Sequence, residues 1–227
     1  MKNINTEGMT PEDRMNWLAN TLSVSVGKKL MMAVTGLGFC GFLIGHMAGN
    51  LFIYAGADAF NSYAEHLHSL GPLVTAAEIG LLLFALIHVS TGLLLFVQNQ
   101  KARPTTYAVN KRGGGRTTAS ATMPYTGLII LAFVVFHLLK FHFVDKSGTT
   151  IHALVAAAFA KPAYLVIYVL AMFVVALHIS HGFWSAFQTL GANHPKYMPL
   201  IMKLSVVLSL VFGFGFGLIP VFVAMTT

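Results

Sequence analysis

Five long apolar segments constrain this chain of 227 residues more than any other feature of its sequence. Each has at least the roughly 20 residues that an α-helix needs to cross the hydrocarbon core of a bilayer. Charged residues make up only 9% of the chain, whereas soluble domains have about 25%. The sequence therefore predicts an all-α fold, an integral membrane bundle of five transmembrane helices at about residues 30–54, 72–97, 124–144, 162–190 and 198–224.

Prolines indicate where several of these helices begin. Proline fits the first turn of a helix because the N–H group that it lacks has no partner there. Pro72, Pro124 and Pro162 stand at the start of apolar segments. We therefore expect each of them to open a membrane helix.

The residues ahead of the first apolar segment predict a separate short helix. Thr10 and Pro11 have the cap-and-proline pattern of a helix start, and the region is polar. We expect residues 1–29 to form a cytoplasmic N-terminal segment with a surface helix, and residues 30–227 to form the membrane domain. No sequence repeat is evident along the chain.

Lysine and arginine predict the orientation of the bundle. They give the chain a net charge of +7, but they flank apolar segments, so they indicate membrane topology and not nucleic-acid binding. Cytoplasmic segments carry an excess of these residues, which predicts a cytoplasmic N-terminus. Three of the 14 then lie on the outer side (Lys140, Lys146, Lys161) and eleven on the inner side (Lys2, Arg14, Lys28, Lys29, Lys101, Arg103, Lys111, Arg112, Arg116, Lys196, Lys203).

Four histidines lie deep inside four different apolar segments: His46, His88, His137 and His178. An ionisable side chain at membrane depth is costly and usually has a partner and a function. A single buried histidine is explained equally well by a hydrogen bond between helices. Four such residues on four helices call for one explanation that covers all of them.

Their depths suggest that explanation. His46 lies about 24 Å along its outward-running helix and His137 about 20 Å along its own, at 1.5 Å per residue, so both fall in the outer half. His88 and His178 lie about 24 Å along inward-running helices, so both fall in the inner half. The sequence therefore predicts two level pairs, His46 with His137 and His88 with His178.

Two imidazoles that face each other at one depth can hold a haem between them. Neutral imidazole is a good ligand for haem iron, and two histidines leave no open coordination position, which favours electron transfer. The single cysteine, Cys40, rules out a pair of thioether links, so b-type haem is expected. Gly92 and Gly182 each follow a proposed ligand by four residues and could clear a face for the macrocycle, or could serve ordinary helix packing.

Two of the assignments have competitors. His181 competes with His178, because residues three apart share a broad helix face. His142 competes with His137, although its position near the outer boundary suits a haem propionate or a surface role better. Lys140 is a further candidate for a propionate partner, since propionates need cationic neighbours.

Three stretches resemble a known family, the five-helix, di-haem cytochrome b subunits of succinate dehydrogenases and fumarate reductases. They are residues 25–36 (SVGKKLMMAVTG), His46 with residues 49–51 (GNL), and residues 178–191 (HISHGFWSAFQTLG). The last stretch is the most specific. The resemblance covers nearly the whole chain.

The resemblance implies that His46 and His137 ligate a distal haem on the outer side, and that His88 and His178 ligate a proximal haem near the cytoplasm. It implies a flavoprotein partner with FAD and an iron–sulfur partner, both on the cytoplasmic face. It implies menaquinone or another quinone near the distal haem, a bacterial cytoplasmic membrane, and a place in the respiratory chain and the tricarboxylic acid cycle. Whether the complex is a dimer, and whether it oxidises succinate or reduces fumarate, stays open.

The quinone site is less well defined by the resemblance. Some relatives have an acidic residue after the first membrane helix, where this chain has His68, with Glu65 one turn earlier. Either could relay protons to quinone as an acid–base group, although Glu65 could equally be a loop charge. Glu78 is the one acidic residue at membrane depth in the sequence, and it could contact haem or quinone or reach the outer interface.

Two other functions agree less well with the sequence than a cytochrome b subunit of a succinate dehydrogenase or fumarate reductase. A cytochrome b subunit of a hydrogenase or formate dehydrogenase would share the buried histidines, but the FQTL run at residues 187–190 argues against it. A proton-coupled transporter could use histidines as relays, but transporters often break helices with glycine or proline near the midplane. Here proline lies mostly at the ends of the apolar segments.

Overall fold

The computed structural model describes residues 11–102 and 117–226, which contain α-helices and no β-strand. The all-α prediction is therefore confirmed for this part of the chain. In chain order the helices are α1 (Pro11–Ser23), α2 (Ser25–Asn50), α3 (Ala57–Ser69), α4 (Pro72–Lys101), α5 (Thr118–His137), α6 (Ile151–Phe159), α7 (Pro162–Thr189) and α8 (Met198–Thr226).

Five helical segments in the described ranges are long and apolar enough to cross a membrane, as predicted. Two of them extend past an α-helix, because α2 continues into a 3₁₀ turn (Leu51–Ala55) and α5 into a π-helical turn (Leu138–His142). The spans are Ser25–Ala55, Pro72–Lys101, Thr118–His142, Pro162–Thr189 and Met198–Thr226.

The prediction that proline opens three of these helices is correct for two of them. Pro72 and Pro162 lie in the first turn of α4 and α7, but Pro124 lies inside α5. The helix starts earlier because Thr117 and Ser120 form a capping box, in which each side chain accepts the backbone N–H of the other. That arrangement satisfies the free N–H groups that a helix start leaves.

A short helix precedes the first span, and its predicted place on the cytoplasmic surface stays a prediction. It is α1, and Pro11 is its first residue, while the proposed cap Thr10 lies outside the described residues. The chain is extended at Val24, and α2 begins at the next residue, Ser25. This is five residues before residue 30, the predicted start of the membrane domain. Gly27 lies so close to Thr21 and Leu22 that a Cβ atom would overlap their backbone atoms.

Helices α3 and α6 lie on the same side of the bundle. Each of them joins two consecutive antiparallel spans, and the backbone N–H of His152 in α6 donates to Oδ1 of Asn61 in α3 at 2.9 Å. We call this side the α3–α6 face. The opposite side is the α1 face.

Four of the spanning helices form a ring. Helix α2 packs against α4 and α7, and α5 packs against α7 and, less extensively, against α4. Helices α2 and α5 are therefore diagonal to each other, as are α4 and α7. Neither diagonal pair has extensive backbone contact among the described residues, so the ring has an interior that the helices do not fill by direct packing.

Helix α8 lies outside this ring, against α7. The two helices share a buried cluster that includes Met172, Val175 and the fully buried Phe212. The hydroxyl of Ser205, also fully buried, donates to the backbone carbonyl of Ser180 across the two helices at 2.7 Å. This packing fixes α7, the helix that carries His178, against a rigid support.

We expect Gly27→Ala to disturb the junction of α1 and α2. The new Cβ would meet backbone atoms of Thr21 and Leu22, which cannot move as a flexible side chain would. Overpacking of this kind costs about 1–3 kcal/mol. The measurement is the thermal unfolding of the purified protein in detergent, followed by circular dichroism.

Gly41→Ala is the matched control on the same helix. A Cβ at Gly41 meets no atom of the described residues within 4 Å, and this glycine is exposed. We expect its unfolding temperature to equal that of the wild type or to exceed it slightly, because alanine favours helix. Equal unfolding temperatures for the two variants would contradict the close contact at Gly27.

Candidate functional site

The ring brings the four deep histidines together as two pairs. The imidazole centroids of His46 and His137 are 6.0 Å apart, and those of His88 and His178 are 6.4 Å apart. The first pair lies towards the α3–α6 face, and the second lies towards the α1 face. The same pairs are predicted from the depth of each histidine along its helix. Ligation of a haem by these pairs stays a prediction.

Each pair spans a diagonal of the ring. His46 is on α2 and His137 on α5, while His88 is on α4 and His178 on α7. Since the diagonal helices do not pack closely, the rings meet in the interior and not at a helix–helix contact. The histidines therefore point into the space that the backbone packing leaves open.

The separation within each pair fits one metal ion between two imidazoles. A ring nitrogen binds a first-row metal at about 2 Å and lies about 1 Å from its ring centre, so opposed ligand rings have centroids about 6 Å apart. Two histidines would leave the other four positions of an octahedral iron to a planar macrocycle. Among the described residues there is no cluster of three or more His, Cys, Asp or Glu side chains.

A threonine holds the ring of His88. The hydroxyl of Thr35 on α2 lies 3.1 Å from Nδ1 of His88, and the carbonyl of Met32 lies 3.2 Å from the same nitrogen. A carbonyl can only accept a hydrogen bond, so Nδ1 carries the proton. Nε2 then has a free lone pair, which is the form that binds iron.

The ring of His178 has the same kind of partner. The hydroxyl of Thr126 on α5 lies 3.1 Å from Nδ1 of His178. That hydroxyl also lies 3.1 Å from the carbonyl oxygens of Thr122 and Met123 in its own helix, and it donates to them. The Thr126 oxygen is therefore available to accept from Nδ1–H.

The pair nearer the α3–α6 face is held differently. Nδ1 of His137 lies 3.1 Å from the hydroxyl of Tyr168, which is buried in an aromatic cluster. His46 stacks on Phe42 with a centroid distance of 5.2 Å and also contacts Phe216. In the described part of the chain, no hydrogen bond reaches the ring of His46.

His178, and not His181, faces His88. The ring of His181 contacts Trp184 edge-on at 4.8 Å. Its Nδ1 is buried and has no hydrogen-bond partner among the described residues. A buried polar atom of this kind needs a partner, and a carboxylate group such as a haem propionate would be a suitable one.

The other candidates from the sequence lie near the α3–α6 face, outside the four-histidine set. Nδ1 of His142, in the π-helical turn, is 3.7 Å from Oε1 of Glu78. Lys140 lies over the ring of Tyr164, with Nζ 5.2 Å from the centroid. His137, and not His142, is the residue that faces His46.

Glu65 and His68 lie on α3 and are exposed. His68 donates from Nδ1 to the carbonyl of Ala64 in its own helix at 2.7 Å. Within the described ranges, neither residue has a hydrogen bond or a ring contact with either histidine pair. They therefore lie on the surface near the α3–α6 face and do not contact the pair formed by His46 and His137.

Thr35, Thr126 and Tyr168 are not among the site residues predicted from the sequence. A signal for the two threonines exists, because each is followed by glycine and stands eleven residues before a deep histidine: Thr35 before His46 and Thr126 before His137. The two histidines of each half are also similarly spaced, since His88 follows His46 by 42 residues and His178 follows His137 by 41. The two halves of the ring therefore repeat in the positions of key residues, although their sequences do not repeat as a whole.

Comparison with known proteins gives one informative relative. The chain is similar to the succinate dehydrogenase cytochrome b558 subunit of Bacillus subtilis (strain 168), with 31% identity over 153 residues. The aligned region covers 66% of this chain and 72% of the relative, so the similarity is not confined to one motif. No protein-family model matches the chain, and no solved structure matches it.

Proposed function

Because the chain belongs to the family of succinate dehydrogenase cytochrome b subunits, we propose that it passes electrons between an iron–sulfur subunit and a membrane quinone through two b haems. The observation that carries this proposal is the presence of two opposed histidine pairs, 6.0 and 6.4 Å between centroids, at two depths of one helix ring. The chain is a multi-pass membrane protein and a subunit of an oxidoreductase complex. Its family membership favours this reading over a hydrogenase-type cytochrome or a transporter.

In this proposal His88 and His178 ligate the proximal haem, and His46 and His137 ligate the distal haem. When bound, each haem supplies one iron centre that accepts and releases single electrons. The two imidazoles of each pair would hold the haem iron and leave no position on it for another ligand. The helices exclude water and fix the two sites relative to each other.

The two levels are suitably separated for carrying electrons through the membrane. Thr35 contacts His88 at the inner level, and His46 lies eleven residues further along the same helix. At 1.5 Å per residue the levels are about 16 Å apart. This is about half of the roughly 30 Å hydrocarbon core, so two carriers together extend from one side of the bundle towards the other.

We propose that the FAD-containing flavoprotein and the iron–sulfur protein bind at the α1 face, which would be the cytoplasmic face of a bacterial inner membrane. A groove of about 650 Å³ opens there between the start of α2 and the end of α4. It is lined by Lys28 and Lys29 together with Gln98 and Asn99. Exposed cations at a subunit interface favour an acidic partner surface.

The quinone, menaquinone or another, would then react near the α3–α6 face, beside the distal pair. Quinone reduction consumes protons, which positioned acid–base groups can relay. Glu65 and His68 on α3 are the candidates from the sequence. The contact of His142 with Glu78 adds a second group of suitable chemistry, five residues along the chain from His137.

Alanine at any one of the four proposed ligands should remove one haem or turn it high-spin, because one axial bond is lost. The variants are His46→Ala, His88→Ala, His137→Ala and His178→Ala. The measurement is haem content and the reduced optical spectrum of each purified variant. His194→Ala is the control, since His194 lies between α7 and α8 and its Nδ1 accepts only the nearby N–H of Lys196.

In the control, both haems should keep the wild-type spectrum. Retention of both low-spin haems in all four ligand variants would contradict the assignment. Loss of haem from His181→Ala but not from His178→Ala would reverse the assignment on α7.

Glutamine substitutions test the proton relay at the α3–α6 face. We expect at least one of Glu65→Gln, His68→Gln, Glu78→Gln and His142→Gln to lower succinate:quinone activity of the assembled complex by about 100-fold, the usual size of an acid–base contribution. Electron transfer from succinate to a soluble dye should stay unchanged, because it does not need the quinone site.

Asp58→Asn is the control for this series. Asp58 is in the first turn of α3, and its substitution should leave quinone activity at the wild-type level. If all four glutamine variants reduce quinone at the wild-type rate, none of these residues relays the protons.

A further inference from the structure

Two Thr–Gly pairs occupy equivalent positions in the two halves of the ring. Thr35–Gly36 lies on α2, eleven residues before His46, and Thr126–Gly127 lies on α5, eleven residues before His137. Eleven residues are about three helical turns. Each pair is therefore near the level of the inner histidines, although its own helix carries an outer histidine.

Both members of each pair contact an inner histidine on the adjacent helix. The Thr35 hydroxyl lies 3.1 Å from Nδ1 of His88, and a Cβ placed at Gly36 would lie 3.2 Å from Cε1 of the same ring. The Thr126 hydroxyl lies 3.1 Å from Nδ1 of His178. A Cβ at Gly127 would lie 3.5 Å from Cε1 of His178, an ordinary van der Waals distance.

The direction of these hydrogen bonds follows from the rest of the contacts. A threonine hydroxyl has one proton, and Thr35 donates it to the carbonyl of Met31 at 2.8 Å. Thr126 likewise donates within its own helix. Each oxygen therefore accepts from the Nδ1–H of a histidine, which leaves Nε2 of that ring unprotonated and directed away from the threonine.

The burial of the threonines supports a specific role. Thr35 is 4% exposed and Thr126 is 6% exposed. Thr126 is the one buried residue of α5. The outer pair differs, because the hydroxyl partner of His137 belongs to Tyr168 and no hydrogen bond reaches the ring of His46 within the described residues.

We propose that Thr35–Gly36 and Thr126–Gly127 are positioning residues that fix the rotation of the His88 and His178 rings and increase their electron donation to the iron between them. This inference rests on the proposed function. Gly36 lets the His88 ring approach α2, because a Cβ there would be only 3.2 Å from the ring. Each threonine oxygen accepts the Nδ1–H of its histidine. An acceptor at Nδ1 makes the imidazole a stronger base, which stabilises ferric over ferrous iron and lowers the reduction potential of the inner haem.

The test is a redox titration of the intact purified complex, with optical and electron paramagnetic resonance detection, for Thr35→Val and Thr126→Val. Valine keeps the shape of threonine and removes its hydroxyl. His178 then loses its acceptor, whereas His88 keeps the Met32 carbonyl, so the larger effect is expected for Thr126→Val. We expect both haems to be retained and the equilibrium constant for reduction of the inner haem to rise about tenfold in Thr126→Val, with a smaller rise in Thr35→Val. For a one-electron couple a tenfold change is a rise of about 59 mV in the reduction potential. The low-spin electron paramagnetic resonance signal of the inner haem should change, and the potential of the outer haem should stay at its wild-type value.

Two further variants separate this role from a structural one. Thr35→Ser and Thr126→Ser keep the acceptor, so the potential and the signal should return towards the wild-type values. Thr122→Val is the control on α5, because the Thr122 hydroxyl bonds only to carbonyls of Thr118 and Ala119 in its own helix. Its potentials should equal those of the wild type.

The results also distinguish this inference from the proposed function. Unchanged potentials and signals in both valine variants, with two haems present, would overturn the role of the threonines and leave the ligand assignment intact. If a valine variant loses haem, recovery of haem and potential in the serine variant supports the role, and failure of the serine variant overturns it. Haem that survives His88→Ala and His178→Ala would instead refute the proposed function.

Discussion

The structure depends on how four imidazole rings are accommodated inside a bundle whose outer surface is apolar. An ionisable group at this depth is costly unless it has a partner, and the chain meets this constraint by turning all four rings inward across the diagonals of the α2–α4–α5–α7 ring. The diagonal helices stay apart, and adjacent helices pack. Helix α8 packs on α7 outside the ring and supports one side of it.

The two halves of the ring solve the same problem in the same way. Helices α2 and α5 each carry a Thr–Gly pair and, eleven residues later, an outer histidine; α4 and α7 each carry an inner histidine. Each half therefore supplies one histidine to each level, together with the hydroxyl that contacts its own inner histidine. The two levels differ in their hydrogen-bond partners, threonine at the inner one and Tyr168 at the outer one, which would give two bound haems different environments.

Much of this arrangement could be predicted from the sequence, for identifiable reasons. The five spans could be predicted from hydropathy because membrane helices have a nearly fixed length. The level of each histidine could then be predicted from its position along its span. The start of α5 was wrong because a local capping box at Thr117 outweighed the usual position of proline at Pro124. Thr35, Thr126 and Tyr168 were missed because hydrogen-bond partners between helices depend on helix rotation and on which helices are adjacent, and hydropathy contains neither.

The most direct test of the central claim is the number of b haems per chain in the intact purified complex. It is measured as haem extracted per mole of this subunit, together with the spin state by electron paramagnetic resonance. Two opposed histidine pairs predict two haems per chain, both low-spin and six-coordinate. One haem per chain, no haem, or a high-spin centre with an open axial position would contradict the account of the helix ring as a two-level haem scaffold.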